Sequence, residues 1–253
     1  MNPIVMVHGA FVGGWSFEQF RTPFEAAGHR VLAPDLRGHG HDDAADEVIG
    51  VSVRDYADDV VALCATLSER PILIGHSMGG LVAQMAARRV QPEALVLLAP
   101  SPPWGLVGWC VEEAMTAFGA QMASLLSNGA VEPSREIMRH CTLDKMTSEE
   151  AAPILSRLRP ESARAVREVL NWWLDPFMTS SIGSGPLPVP SLVISGESDQ
   201  IHPAASGRLV AERIGGGFLS FPEMSHWLPG EPGWEAVADA ALDFIGRKVR
   251  VAA

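Results

Sequence analysis

Pro71-Ile72-Leu73-Ile74-Gly75-His76-Ser77-Met78-Gly79-Gly80 is the stretch on which the fold turns. Pro71 to Ile74 is a short apolar run that reads as a buried strand, and Leu81, Val82, Met85 and Ala86 then recur at helical spacing. Between them stands Gly-x-Ser-x-Gly. In a chain with 24 glycines the bare pattern says little; its position between a strand and a helix gives it meaning. So tight a turn forces its serine into a strained backbone conformation, and small residues two before and two after relieve the crowding. Ser77 then stands above the C-terminal edge of a parallel sheet, where open α/β sheets hold their ligands.

A serine hydroxyl is a poor nucleophile at neutral pH and needs a base, which in turn needs an orienting carboxylate. Both are expected at later strand ends. Gly196-Glu197-Ser198-Asp199 follows the apolar run Ser191 to Ser195, and Glu223-Met224-Ser225-His226 follows Phe218 to Phe221. Asp199 and His226 are therefore the candidate acid and base, with Glu197 the rival acid. His29, His76, His140 and His202 compete less well as bases; His76 is expected to point away from the nucleophile and His202 to be a loop residue beside Pro203. Val7-His8-Gly9-Ala10-Phe11 follows the first strand, and an oxyanion is expected to be held by the N–H groups of Met78 and Ala10, with Phe11 the second choice.

Outward from the serine, Pro3 to Val7, Arg30 to Ala33 and Ala94 to Ala99 also read as buried strands, while Val53, Tyr56, Ala57, Val60, Val61, Cys64 and Leu67 recur at helical spacing. Strand and helix in alternation predict a three-layer α/β/α sandwich around a mostly parallel sheet of about six strands. The alternation breaks once. The chain leaves the fourth strand through Ala99-Pro100-Ser101-Pro102-Pro103 and enters the fifth through the proline-rich run 183–190, which predicts a core of 1–102 and 189–253 with a helical lid at 103–188. The insertion holds five of the ten methionines and four of the seven tryptophans. From it and from the loops, Phe11, Trp104, Trp109, Met115, Trp172, Trp173 and Trp227 are the candidate pocket residues; Arg157, Arg159, Arg164 and Arg167 are expected to face solvent.

Thirty acidic against nineteen basic residues leave a net charge of −11 among 253 residues, so the chain offers no broad attraction to nucleic acid or an anionic membrane surface. Only Lys145 and Lys248 could support Schiff-base chemistry. Cys64, Cys110 and Cys141 show no CxxC spacing, Pro3 to Val7 already reads as a strand and no apolar run reaches membrane-spanning length, so a cytoplasmic protein without a leader segment is expected. His39-Gly40-His41-Asp42-Asp43 superficially suggests a metal site but lacks a closing histidine; a solvated acidic loop with no metal is the expectation.

Together, the turn at Ser77, His8-Gly9 after the first strand, Asp35-Leu36-Arg37-Gly38-His39-Gly40 after the second, the Gly-x-x-Asp ending at Asp199 and the His226 loop resemble the α/β-hydrolase superfamily over essentially the whole chain. The chain order serine, aspartate, histidine is also that of the superfamily. His8-Gly9-Ala10-Phe11-Val12-Gly13-Gly14-Trp15 is similar to the small methylesterase and hydroxynitrile lyase branch. The arrangement of Ser77, His226 and Asp199 points to a cofactor-free serine hydrolase of small carboxylic esters, with thioesters, lactones and amides cleaved by the same parts, and the Met and Trp content of the insertion points to a largely apolar substrate. A lyase of that branch is expected to carry a hydroxyl residue and a lysine where this chain has Ala10 and Trp227. A ring-cleavage carbon-carbon hydrolase shares the His226-Trp227 pair but not the Ala10-Phe11 loop. The same scaffold also serves small-molecule receptors, perhydrolases and cofactor-free oxidases, because a fold does not fix a function.

Overall fold

Strands whose residues are apolar without interruption must be covered on both faces, and here alternate residues feed two separate cores. A computed structural model describes residues 1–106, 121–122, 124–126 and 129–251. Its main sheet contains β1 (Ile4–Val7), β2 (Val31–Leu32), β3 (Ile72–His76), β4 (Ala94–Leu98), β7 (Ser191–Gly196) and β8 (Gly217–Phe221), in the order β2-β1-β3-β4-β7-β8. Every neighbouring pair in it is parallel. Val5, Val7, Leu73, Leu95, Leu97 and Val193 face α2 (Val53–Ala65), α3 (Met78–Val90) and α6 (Ala204–Ile214). Ile4, Met6, Ile72, Ile74, Val96 and Ile194 face the phenylalanines Phe17, Phe20 and Phe24 around α1 (Thr22–Ala26), together with α7 (Trp234–Val251).

The expected strand positions agree with the observed ones to within one or two residues at each end. β3 runs on through Gly75 and His76 to the residue before Ser77. From β1 the chain moves out to β2 and then returns to β3 on the opposite side of β1, so the strand order reverses between β1 and β3. Loops leaving those two strands diverge and open a crevice at their C-terminal ends.

Between β4 and β7, a short antiparallel pair, β5 (Ala130–Val131) with β6 (Glu161–Ser162), accompanies α4 (Ser148–Ser156) and α5 (Ala163–Leu170). The sequence pattern does not reveal this two-stranded ribbon, because two-residue strands carry no periodicity. A buried polar seam binds the segment to the sheet layer. Glu161 accepts hydrogen bonds from Tyr56 Oη at 2.6 Å and from the Ser162 N–H at 2.7 Å, and its Oε2 lies 3.1 Å from His39 Nε2. The Ser162 hydroxyl donates to Val51 O at 2.6 Å. Glu168 accepts from the Ser52 hydroxyl at 2.7 Å and the Val53 N–H at 2.9 Å, which places a carboxylate on the positive N-terminus of α2.

Of the four arginines expected in solvent, Arg157, Arg159 and Arg164 also serve this junction, Arg164 through Gly50 O at 3.3 Å, while Arg167 bonds within the inserted segment. Arg157 stacks 4.2 Å over the Trp15 ring, the Arg159 side chain donates to the carbonyls of His41 and Asp43, Arg164 pairs with Glu168 at 2.9 Å, and Arg167 donates to Ser124 O. Arg157 and Arg164 are exposed, but all four use their reach to bind neighbouring segments, which helical spacing alone does not disclose.

His39 has Arg37 O 3.2 Å from Nδ1 and the Glu161 carboxylate at Nε2, two acceptors that only the doubly donating imidazolium satisfies. Burial by itself lowers its pKa, but the charge and hydrogen bond of Glu161 outweigh that and hold it above the ordinary 6.5. Glu161→Leu should therefore cost roughly 3–5 kcal/mol, as for one partner removed from a buried pair. The stabilisation is fully present below pH 6.5 and fades as pH rises through the raised His39 value, so the gap between wild type and variant in urea unfolding should narrow toward high pH. A gap that stays constant between about pH 5.5 and 9 would contradict a charged His39.

Candidate active site

Ser77 occupies the first position beyond β3 with φ 54° and ψ −124°, a region that side-chain-bearing residues avoid. Such a conformation stores about 1–3 kcal/mol and persists only where the surroundings enforce it. A Cβ on Gly75 would lie 2.4 Å from Gly79 O, and one on Gly79 would lie 2.2 Å from the carbonyl oxygens of Val7 and His8, so neither position admits a side chain. The Ser77 N–H donates to Leu98 O at 3.0 Å, and its carbonyl accepts from the Ser101 N–H at 3.0 Å. Held on both sides, the turn lifts the hydroxyl over the N-terminus of α3, whose first amide N–H groups have no acceptor within the helix.

His226 and Asp199 meet the serine there. Asp199 Oδ2 lies 2.8 Å from His226 Nδ1, and His226 Nε2 lies 3.0 Å from Ser77 Oγ. Asp199 Oδ1 accepts the N–H groups of Ile201 at 2.8 Å and His202 at 2.9 Å. Burial pushes this carboxyl up, but the His226 charge and hydrogen bond, with His202, more than offset it and hold the pKa below 3.8. An ionised Asp199 can only accept, so Nδ1 carries the His226 proton and Nε2 is left to accept from Ser77. Glu197 is exposed and accepts instead from the Ser220 hydroxyl at 2.8 Å.

His76, expected to point away, lies beneath this group. Its Nε2 donates to His226 O at 2.8 Å with the two rings 5.0 Å apart, and burial, with the His226 charge, lowers its pKa to about 3. It is thus a neutral donor that fixes the height of the His226 loop. Glu231 braces the same loop by accepting the Ser225 N–H at 2.9 Å, and burial pushes its carboxyl up to about 8. His202 also belongs here: its ring is 5.4 Å from His226, and its Nε2 is 2.8 Å from Ser101 Oγ. Neither the proline beside His202 nor the spacing of Glu231 signals these contacts in the sequence.

Across the crevice, Phe11 has φ 67° and its carbonyl accepts the Arg159 N–H at 2.9 Å, so the inserted segment itself holds the Ala10-Phe11 turn. Between them lies a cavity of about 380 Å³ that reaches Ser77, His226, Ala10 and Met78. Phe11 and Trp227 line it with Val131, Met138, Val166 and Leu170. Trp104, Trp172 and Trp173 are not in that lining; they meet edge to face, Trp104 with Trp172 and Trp172 with Trp173, at ring-centroid distances of 5.5 and 6.1 Å, and Trp104 Nε1 donates to Asp175 O. Tryptophan content alone cannot distinguish a pocket wall from such a self-packed cluster. Trp109 and Met115 lie outside the described residues. The suspected metal run does not converge, because His39 turns inward to Glu161 while His41 and Asp42 are fully exposed. Among the described residues no helix is long and apolar enough to cross a membrane.

A sequence model of the alpha/beta hydrolase family matches residues 4–240. The chain is 39% identical to salicylic acid-binding protein 2 of Nicotiana tabacum over 103 residues, which cover 39% of each protein. It is 36% identical to a carbendazim hydrolyzing esterase of a Nocardioides species over 98 residues, 37% of this chain and 38% of that one. The matched stretches thus span about two-fifths of the length of these curated relatives. Among solved structures, a methylesterase from Arabidopsis superposes with a TM-score of 0.74 at 20% identity, covering 97% of this chain and 99% of the other, which shows a shared fold.

His76→Leu removes the donor to the His226 carbonyl and leaves that acceptor buried without its partner, at a cost of roughly 1–3 kcal/mol. The urea unfolding midpoint should fall accordingly, and a variant as stable as wild type would show that the His226 loop does not depend on this bond.

Proposed function

This chain belongs to the alpha/beta hydrolase family, and from that premise we propose that it hydrolyses small, largely apolar carboxylic esters through Ser77, His226 and Asp199. Ser77 Oγ attacks the ester carbonyl carbon as His226 Nε2 takes its proton. The Asp199 carboxylate stabilises the resulting imidazolium and keeps the ring in register. The N–H groups of Met78 and Ala10, with Phe11 as the other candidate, hold the tetrahedral oxyanion, each such donor contributing about 3–4 kcal/mol to lowering the barrier. Collapse breaks the bond to the alkoxy group, which leaves as the alcohol with the proton from His226. Water, deprotonated by His226, then attacks the acyl-serine, releasing the carboxylic acid and restoring the Ser77 hydroxyl. No cofactor enters this scheme. Residues 103–188 act as a cap that supplies the apolar wall over the serine.

The observation that carries this reading is the unbroken sequence of hydrogen bonds from Asp199 through His226 to a serine raised over a helix N-terminus. Support for the ester class comes from the esterase and methylesterase names of the relatives and from the small apolar cavity. In such a cavity each buried methylene is worth about 0.8 kcal/mol, or roughly fourfold in kcat/KM, until the space is filled.

The test is turnover of p-nitrophenyl esters from acetate to octanoate by wild type and three variants. Ser77→Ala should abolish nearly all turnover, Asp199→Asn should lower kcat by a factor on the order of 10⁴, and Glu197→Gln should cost far less. Wild-type kcat/KM should climb with acyl length and then level off. Near-normal turnover by Ser77→Ala, or a larger loss from Glu197→Gln than from Asp199→Asn, would overturn the assignment; a flat length series would overturn the apolar pocket.

A further inference from the structure

Ser101 and His202 stand in the wall of a largely apolar cavity beside the proposed nucleophile, a wall that Glu132, Ser134 and Thr142 also join. Both line the cavity, both are almost wholly buried at 2% and 4% exposure, and Ser101 Oγ lies 2.8 Å from His202 Nε2. Ser101 follows β4 and His202 follows β7, whereas Ala10 and Phe11 follow β1; with β3 between them, the pair stands on the far side of Ser77 from the oxyanion loop. Its place is fixed by backbone bonds to the reacting group: the Ser101 N–H donates to Ser77 O at 3.0 Å, and the His202 N–H to Asp199 Oδ1 at 2.9 Å.

We propose that Ser101 and His202 form a hydrogen-bonding subsite that selects esters carrying a hydroxyl group a few atoms from the scissile carbonyl. The inference rests on the esterase reading above and specifies its substrate class. A serine hydroxyl has one hydrogen and two lone pairs, so whichever of the two groups donates in the Ser101–His202 bond, the serine oxygen retains a further bonding position at the cavity. A substrate hydroxyl matches either direction, because it too can donate or accept. Pockets of this size fix orientation with one or two polar groups set in an apolar wall, and such groups favour a ligand that pairs with them over an isostere that leaves them unpaired. The oxyanion N–H groups hold the carbonyl on one side of Ser77, and the subsite holds a second point on the other.

An added hydroxyl ordinarily weakens binding to an apolar wall, so a gain is diagnostic. The experiment measures kcat/KM by pH-stat for methyl hexanoate and hexyl acetate, each against its monohydroxylated derivatives, a set of positional isomers scanned along the six-carbon chain. At least one isomer should exceed its parent about tenfold with wild type. That ratio should fall to one or below in Ser101→Ala and His202→Phe and return in Ser101→Thr, which restores the hydroxyl. A pair that serves only to brace the two loops would change the rates of parent and isomer together and leave the ratio intact in Ser101→Ala, overturning the proposal. Wild-type ratios at or below one for every isomer would overturn it as well. If wild type hydrolyses no ester in either series, the esterase reading itself fails, an outcome distinct from active hydrolysis without hydroxyl selection.

Discussion

Ser77 is held in a backbone conformation that a serine adopts only under compulsion, and much of the surrounding structure supplies that compulsion. The sheet must end where α3 begins, Gly75 and Gly79 must be bare for the two to approach, and Leu98 and Ser101 must grip the serine backbone from the neighbouring strand. Reversal of the strand order beside β3 then opens the crevice into which the hydroxyl points. The strain, about 1–3 kcal/mol, does not exceed the roughly 3–4 kcal/mol that one oriented oxyanion donor contributes, so rigidity here favours chemistry even though it opposes local stability.

Two buried acid–histidine pairs show how surroundings divide one chemistry into two roles. Glu161 meets His39, Tyr56 and the Ser162 N–H, and all of these partners lie inside the junction between the inserted segment and the sheet layer. Closed on every side, that pair acts as a clamp. Asp199 is as well supplied with partners, but the far nitrogen of its histidine opens onto Ser77 and the cavity. The clamp also bears on the proposed catalytic group, because the inserted segment that it fastens carries the Arg159 N–H that holds Phe11 in place. A lid swinging freely on its proline-rich ends would release that bond, so an anchored cap suits the geometry better.

The elbow is legible in the sequence because its signal is local: a strand, a strained serine and a helix follow one another without a break from Ile72 to Val90. Asp199 and His226 are legible because parallel strands deliver their loops to one edge of the sheet. Glu161 and His39 stand 122 positions apart, with no pattern to join them, and a buried carboxylate looks like a surface one until its partners are known. His202 reads as an ordinary loop residue because its contact with Ser101, 101 positions away, depends on the order of β4 and β7. The tryptophans mislead for a related reason. Composition places Trp104, Trp172 and Trp173 in the insertion, but which face they cover is a tertiary property, and they meet one another edge to face with Trp173 left exposed. Aliphatic residues such as Val166 and Leu170, inconspicuous in the sequence, form the cavity wall instead.

The central claim is that Ser77 is a nucleophile activated by His226, and covalent capture tests it most directly. Treatment with a fluorophosphonate should add one mass equivalent to the intact protein, located by peptide mass spectrometry on Ser77, and His226→Ala should slow the labelling by orders of magnitude because phosphonylation needs the same activated hydroxyl as acylation. An adduct on another serine, or labelling of His226→Ala at the wild-type rate, would contradict the account.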